Sequence, residues 1–381
     1  MPYSKPVVVF ISASASYSRP LDQTSAKKFQ ALASLGEIFV IALSQGLNWQ
    51  RFDQTAHFYL IPRLPLQTLR YLFFLKVASL IACWLIWKRG AKVFVSQSPY
   101  DGLEIAFVKK TAALFGKKIF LIVESHGDFE KFPKTQNFIT RAVISFTMRQ
   151  ADGFRAISQA TADQLRRRGA NKPIVQFPAW TDIDVFLKAH LMAKMAPFKP
   201  LIVFAGTLIP AKGVDYLIRA LAIVNRQFPE MKLALIGPET DKNYVSELRA
   251  LIKELGLKEK VLFVGQVSQV ELADWFSRAK IFVLPSLSEG LGRVIFEAMA
   301  AGLPVIGANV GGIPDLIKDS QTGWLVPPAD EKELAEKIIW LLDNYDKAQA
   351  VAEKAKFSVK EIFSEEKYVA GYKKLIELCS V

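Results

Sequence analysis

The sequence has little cysteine, little histidine and no apolar run of full bilayer length. Its two cysteines, Cys83 and Cys379, lie in distant segments, which excludes a disulfide-dense scaffold and favours a reducing compartment. The three histidines have no cysteine nearby, so a structural zinc site is not expected. Internal repeats and low-complexity tracts are also absent, which excludes a solenoid. With 381 residues, 51% of them hydrophobic, the chain is expected to form two globular domains.

One segment has the composition of a membrane helix. Tyr71–Trp87 is a run of seventeen residues that contains Lys76, shorter than the roughly 20 apolar residues that span a bilayer. A strand-like segment follows it at once, and strands on opposite sides of a membrane could not share a sheet. We therefore interpret the run as a helix that does not cross. The short apolar run Val7–Ile11 does not resemble a secretory signal, so a cytoplasmic location is expected.

Negative charge is scarce in the first half of the chain. Residues 1–190 contain 25 Lys and Arg against 12 Asp and Glu, whereas residues 191–381 contain 24 of each, so the first half holds the whole net charge of +13. Such asymmetry favours an acidic partner such as anionic lipid, a phosphorylated substrate or nucleic acid. No nucleic-acid recognition motif accompanies the charge, and no nucleic-acid partner is expected.

Short apolar runs alternate with helical patterns along almost the whole chain. This alternation is typical of parallel sheets covered by helices on both faces, and two successive sets predict two doubly wound, Rossmann-like α/β domains. We expect an acceptor-binding domain over 1–190, a donor domain over 191–360 and a C-terminal helix over 361–381 that packs back toward the first domain. Chemistry is expected beyond the carboxyl ends of the strands, in the cleft between the domains. The strand-like runs are 6–12, 37–43, 57–61, 92–97, 118–124, 153–158, 201–206, 232–237, 261–265, 281–285, 304–308 and 323–326.

The densest group of candidate site residues lies in 281–328. A buried strand leads through the turn 288–292, with two glycines, into a helix whose free N–H groups can bind an anion. Glu289 and Glu297 are eight residues apart, which would separate their backbones by roughly 12 Å in a helix. Such carboxylates cannot act as an acid/base pair on one bond, but they suit two hydroxyl-rich parts of one ligand.

The arrangement SEGLGRVIFEAMAAGLPVIGANVGGIPDLI…TGWLVPPAD resembles the signature of glycosyltransferase family 4. The resemblance implies a two-domain GT-B fold and a retaining transfer of a sugar from a nucleotide-sugar, without a metal or other cofactor. It also implies that Glu289 contacts the transferred sugar and Glu297 the ribose. The backbone of Gly290, Leu291 and Gly292 would then hold sugar hydroxyls and phosphate.

Upstream, FAGTLIPAKGVDYLIRAL at 204–221 resembles the family's first donor-binding element. The resemblance places Gly206 at the strand end and Lys212 against the diphosphate leaving group, whose charge grows as the glycosidic bond breaks. Thr207 stands where many relatives have an arginine, and Arg293 in the donor helix is a candidate substitute.

In the first half, LIVESHGDF at 121–129 resembles the element whose histidine lines the cleft near the reacting sugar. We therefore predict His126 as catalytic together with Glu289 and Lys212, and Asp128 as an acceptor ligand or the residue that orients His126. The family's glycine-rich loop after the first strand is replaced by ISASASYSRP, in which Ser12 is an acceptor-side candidate. Asp182-Ile183-Asp184 has the form of a metal motif from another glycosyltransferase class, but we interpret Asp182 as structural.

These observations favour a hexosyltransferase that uses a UDP- or GDP-sugar and a lipid-linked, phosphorylated or polysaccharide-precursor acceptor. Two alternatives stay open: a nucleotide-sugar epimerase or hydrolase of the same fold, and a non-catalytic sugar-nucleotide-binding partner. The segment Leu64–Trp87, flanked by basic residues, is predicted to bind the surface of an anionic membrane as a peripheral helix, or else to cover the sheet. If this part of the chain faces the membrane, four lysines are expected to contribute to binding: Lys109, Lys110, Lys117 and Lys118.

Overall fold

A computed structural model describes residues 6–126, 137–193 and 200–380. The chain divides into two compact units, and the division falls between Trp180 and Thr181, ten residues before the boundary between 190 and 191 that the sequence predicted. The first unit also includes the chain from Glu365 onward, and the second ends at Ser364. Both units are α/β, as the alternating pattern predicted.

The first unit is built on an eight-stranded sheet in the order β3-β4-β2-β1-β5-β6-β7-β8. All neighbouring strands are parallel except β3 and β4, which pair antiparallel at one edge. The sequence did not predict β3 or β8, because each of these short strands has only one buried residue. The strands are β1 (Val7–Tyr17), β2 (Glu37–Ser44), β3 (Gln50–Asp53), β4 (His57–Ile61), β5 (Val93–Ser96), β6 (Phe120–Ser125), β7 (Gly153–Ala156) and β8 (Ile174–Gln176).

Helices cover both faces of this sheet. Three consecutive helices pack on one face, α2 beside α3 and α3 beside α4, whereas α1 and the last helix of the chain, α14, pack on the other. The helix α14 contributes Tyr372 and Leu375 to the buried core. The helices are α1 (Gln23–Leu32), α2 (Gln67–Arg89), α3 (Leu103–Leu114), α4 (Phe138–Gln150), α5 (Gln159–Arg167) and α14 (Glu365–Ser380).

The helix α2 is long and apolar enough to cross a membrane by length and composition alone. It nevertheless connects β4 to β5, and both strands belong to the one sheet. Phe74, Ala78, Ala82 and Leu85 form a fully buried stripe along one side of the helix, which packs on that sheet. The argument against a membrane span is therefore supported by the strand order.

The second unit contains a six-stranded sheet in the order β11-β10-β9-β12-β13-β14, with every pair parallel. Its strands are β9 (Leu201–Ala205), β10 (Lys232–Ile236), β11 (Val261–Gly265), β12 (Ile281–Leu284), β13 (Val305–Ala308) and β14 (Trp324–Val326). The helices are α6 (Asp184–Ala193), α7 (Val214–Val224), α8 (Lys242–Glu254), α9 (Gln269–Arg278), α10 (Arg293–Ala300), α11 (Ile313–Leu316), α12 (Glu331–Asp343) and α13 (Tyr345–Ile362). The strand order reverses between β9 and β12, so a crevice is expected at the carboxyl ends of these two strands.

Candidate functional site

Two loops meet at the point where the strand order of the second unit reverses. One follows β9 through a short 3-10 turn, and the other follows β12. The backbone N–H of Leu287 donates to the carbonyl of Ala211 over 2.9 Å, which joins the loops directly. Gly213 has φ +59°, and a Cβ there would lie 2.4 Å from the carbonyl oxygen of Pro285. Close packing between the loops thus requires glycine at the position after Lys212.

These loops bring Lys212 and Glu289 together. The ammonium of Lys212 forms an ion pair with Oε2 of Glu289, although the residues are 77 positions apart. The Ser286 hydroxyl donates to the same oxygen over 3.3 Å. The side chains of Lys212 and Glu289 are 21% and 15% exposed, so both charged groups remain accessible to a ligand. Two predicted site residues therefore lie side by side, with a serine that sequence reasoning did not single out.

The helix α10 begins beside this pair. Its N-cap is Gly292, which has φ +78° and no side chain to cap the first N–H groups. Gly311 has φ +55°, and a Cβ there would meet the carbonyl oxygen of Glu289 at 1.7 Å. Only glycine at position 311 allows this close contact with the turn 288–292. The N-terminus of α10 thus offers backbone donors and a positive helix end to an anion.

The remaining donor-side candidates lie along α10 and at the end of β9. Arg293 is exposed in the first turn of α10, and Glu297 is partly buried one turn later. Burial raises the pKa of Glu297, and the Arg293 guanidinium opposes that shift. The backbone N–H of Gly206 donates to Ile236 over 2.8 Å, and the partly buried Thr207 follows it. These four candidates therefore belong to the same edge of the sheet as the ion pair.

The first unit has its own reversal of strand order, between β1 and β5. There the Ser12 hydroxyl donates to Oδ2 of Asp101 over 3.2 Å and accepts from the backbone N–H of Ala15 over 2.9 Å. Burial raises the pKa of Asp101 to about 6, against the hydrogen bonds from Ser12 and Ser14. Asp101 was missed from the sequence, although it follows a predicted strand within one turn.

His126 follows directly after β6. Its Nε2 lies 2.6 Å from Oε2 of Glu124, and its side chain is 38% exposed. Asp128 lies outside the described residues. Glu124 was missed, and the available signal was a lone acid within the apolar run LIVE.

Within residues 6–126, 137–193 and 200–380, no three His, Cys, Asp or Glu side chains lie close enough together to hold a metal ion. Asp182 is 5% exposed, and its carboxylate accepts from the backbone N–H of Asp184 at the start of α6 over 3.3 Å. This geometry supports the structural interpretation of Asp182.

Residues 194–357 match the family model described as Glycosyl transferases group 1. The chain carries a group 1 glycosyl transferase domain. Solved structures are similar to nearly the whole chain, and this similarity shows that the chain has a two-domain GT-B fold. Sucrose-phosphate synthase from Thermosynechococcus elongatus superposes with a TM-score of 0.78 at 22% identity, over 98% of both chains. Anabaena HepE in complex with UDP-glucose has a TM-score of 0.71 at 20% identity, over 98% of this chain and 99% of that one.

Two curated relatives of this domain are a transferase and a synthase by name. The D-inositol 3-phosphate glycosyltransferase of Streptomyces scabiei is 38% identical over 149 residues, which is 38% of this chain and 33% of that protein. The N-acetyl-alpha-D-glucosaminyl L-malate synthase of Bacillus anthracis is 27% identical over 269 residues, 68% of each chain. This chain thus spans about a third of the inositol-phosphate relative, so the likeness identifies the domain but not the acceptor.

Proposed function

We propose that the chain is a retaining glycosyltransferase that moves a hexose from a UDP- or GDP-sugar to an acceptor hydroxyl. The observation that carries the proposal is the pairing of Lys212 with Glu289 beside the uncapped N-terminus of α10. A cation, a carboxylate and free backbone donors suit a diphosphate joined to a sugar. Anabaena HepE, which has the same fold, was solved with UDP and glucose and with UDP-glucose.

The chemistry assigns a role to each group. Lys212 and the first N–H groups of α10 stabilise the charge that accumulates on the departing diphosphate, with Arg293 as a second cation. Glu289 accepts hydrogen bonds from hydroxyls of the transferred sugar, and Glu297 accepts them from the ribose. With side-chain cations in these positions, the transfer is proposed to need no metal. The departing diphosphate then assists deprotonation of the acceptor hydroxyl, on the face of the sugar that it leaves.

The decisive experiment separates transfer from its two alternatives. Purified protein is incubated with radiolabelled UDP-glucose or GDP-mannose, alone and with a membrane extract. Label that enters a product only when the extract is present supports the proposal. Label released as free sugar, or as an epimerised nucleotide-sugar without extract, favours a hydrolase or epimerase. Nucleotide binding without any turnover favours a non-catalytic partner.

We further propose that the acceptor is lipid-linked or phosphorylated and is met at the cytoplasmic surface of an anionic membrane. The support is the outer surface of the helix layer α2–α4. These three helices contain one acidic residue, Glu104, which is 2% exposed. Their outer side and the turn after α3 carry large exposed apolar side chains: Leu69, Leu72, Leu80, Trp84, Trp87, Phe107, Leu114, Phe115, Phe138 and Ile139. A surface that is apolar and basic but not acidic fits the headgroup region of anionic lipid.

One of the four lysines expected at this surface is engaged elsewhere. Lys109 donates to Oδ2 of Asp152 and to the carbonyl of Gln150, over 2.5 and 2.8 Å. Lys110, Lys117 and Lys118 are exposed. Phe115 stands beside the last two, and its ring lies 6.0 Å from that of Trp87. Lys110 and Lys118 also lie over aromatic rings, with their ammonium groups 5.2 Å from the ring centre of Phe146 and 5.1 Å from that of Phe120. The exposed basic group is therefore three lysines.

Neutralising these three lysines to glutamine is expected to weaken binding to vesicles that contain phosphatidylglycerol. Each lysine near such a surface contributes about 1 kcal/mol, so the partition coefficient should fall about 100-fold. Salt should weaken wild-type binding because it screens the same charges. Co-sedimentation measures both effects.

A matched control neutralises Lys242, Lys253 and Lys258, three exposed lysines of the electrically neutral second half. That variant should bind as the wild type does. Equal binding to neutral and anionic vesicles, or none to either, would contradict the membrane proposal and favour a soluble acceptor.

A further inference from the structure

Two charged side chains lie inside the core of the first unit. Glu124 on β6 and Arg155 on β7 are register partners on neighbouring parallel strands. Their side chains are each 2% exposed, and Nη1 of Arg155 donates to Oε1 of Glu124 over 2.8 Å. The strand register thus places a cation and an anion together where apolar residues would otherwise pack.

The last helix of the chain completes this pair. The Tyr372 hydroxyl on α14 donates to the same Oε1, across 248 residues of sequence, and Nη1 of Arg155 lies 3.0 Å from that hydroxyl oxygen. Arg155 is fixed in turn, because Nη2 donates to the carbonyl of Pro178 over 2.6 Å and the guanidinium lies 4.3 Å from the ring centre of Phe177. Oε1 of Glu124 is therefore held from two sides.

The other carboxylate oxygen contacts His126. Oε2 of Glu124 is the atom that contacts Nε2 of His126, so a ring that is 38% exposed is bound to a buried, immobile carboxylate. Burial opposes ionisation of Glu124, but Arg155 and His126 together outweigh it and hold the pKa of this carboxyl well below its usual range. An ionised carboxylate can only accept hydrogen bonds, so Nε2 must carry a proton.

We propose that Glu124 is the positioning residue for His126 and that Tyr372 holds Glu124 in the orientation that this requires. The last helix of the chain thereby helps to shape the catalytic side of the first unit. The proposal rests on the proposed function and on the expectation from the sequence that His126 lies near the reacting sugar. A purely structural role is the competing explanation, because buried ion pairs also occur without any part in chemistry.

Two conservative substitutions distinguish these explanations. Glu124→Gln keeps the shape but removes the charge, and Tyr372→Phe keeps the ring but removes the hydroxyl. We expect kcat to fall about 10- to 100-fold in Glu124→Gln and less in Tyr372→Phe, as for other groups that orient a functional histidine. The KM for the donor and the affinity for the nucleotide should be unchanged. The loss of kcat in the double variant should be smaller than the product of the two single losses, because both residues act through His126.

Leu121→Ala is the matched control. Leu121 is fully buried on the same strand but lies in the core on the other side of the sheet, so its loss should lower the melting temperature. Turnover at a temperature where the protein is folded should not change. Equal losses of kcat in Leu121→Ala and in the two test variants would overturn the proposal. If Glu124→Gln does not fold, normal turnover in Tyr372→Phe would also overturn it.

A spectroscopic readout keeps this test independent of activity. The wild type should show a downfield proton resonance from the hydrogen-bonded Nε2–H, identified by its disappearance in His126→Gln. It should be lost in Glu124→Gln and weakened in Tyr372→Phe, whereas Leu121→Ala should retain it. A resonance unchanged in both test variants overturns the positioning role. If the wild type has no turnover with any donor, the proposed function fails, and this resonance still decides the role of Glu124.

Discussion

Replacing Lys212 with alanine is expected to lower kcat by about 10²- to 10³-fold, the loss typical when one group that stabilises transition-state charge is removed. The diphosphate carries more negative charge as the glycosidic bond breaks than it does in the bound donor. Lys212 therefore stabilises the transition state more than the ground state, and the KM for the donor should change much less than kcat. Steady-state kinetics with a varied donor concentration measure the two effects separately.

Lys232→Ala is the control for loss of a lysine. Lys232 is exposed at the first residue of β10, at the opposite end of the sheet from the site, and its removal should leave kcat unchanged. Thermal unfolding checks the fold of the Lys212 variant, because Glu289 loses its ionic partner there. Normal turnover in Lys212→Ala would exclude the phosphate role.

Arg293 is the proposed second cation, in place of the arginine that Thr207 replaces. Arg293→Ala should then also lower kcat, and the double variant should show a non-additive loss. Additive effects would mean that the two cations act on different groups.

The strand, turn and helix within 281–300 could be predicted from the sequence because these elements are local. A strand, a glycine turn and a helix within 281–300 are contiguous, so the pattern alone places Glu289, Gly292 and Arg293 along one connection. The pairing of Lys212 with Glu289 was not predicted as a contact. Both residues follow parallel strands, however, and their strands proved to be neighbours.

The first unit was less predictable, because its polar contacts join distant segments. Tyr372 reaches Glu124 from the last helix, and no periodicity in either segment indicates that contact. Asp101 meets Ser12 because β1 and β5 are neighbours in the sheet, which depends on the strand order. The edge strand β3 has one buried residue and so lacked the apolar signal used to predict the other strands.

A second large effect, on nucleotide binding, is expected from replacing Glu297, which lies one turn into α10. If its carboxylate accepts hydrogen bonds from the ribose, Glu297→Ala should weaken nucleotide binding by about 1.5–3 kcal/mol, or roughly 10- to 150-fold. Because burial raises the pKa of Glu297, the carboxylate becomes protonated at a higher pH than usual as the pH falls. Nucleotide affinity of the wild type should therefore fall as the pH falls through that raised value, and the variant should lack this dependence.

Glu297→Gln and Glu247→Ala are the matched variants. The glutamine retains an oxygen that can accept a hydrogen bond, and its affinity should lie between those of the wild type and the alanine variant. Glu247 is exposed on α8, and its removal should have no effect on nucleotide binding. Equal weakening in Glu247→Ala would indicate a general effect of charge.

Calorimetric titration of UDP and GDP into the wild type and Glu297→Ala tests the central claim most directly, because the claim is that the second unit binds the nucleotide of a sugar donor. The account predicts that one of the nucleotides binds to the wild type and binds roughly 10- to 150-fold more weakly to the variant, while both proteins remain folded. No binding of either nucleotide to the folded wild type, or the same affinity in both proteins, would contradict it.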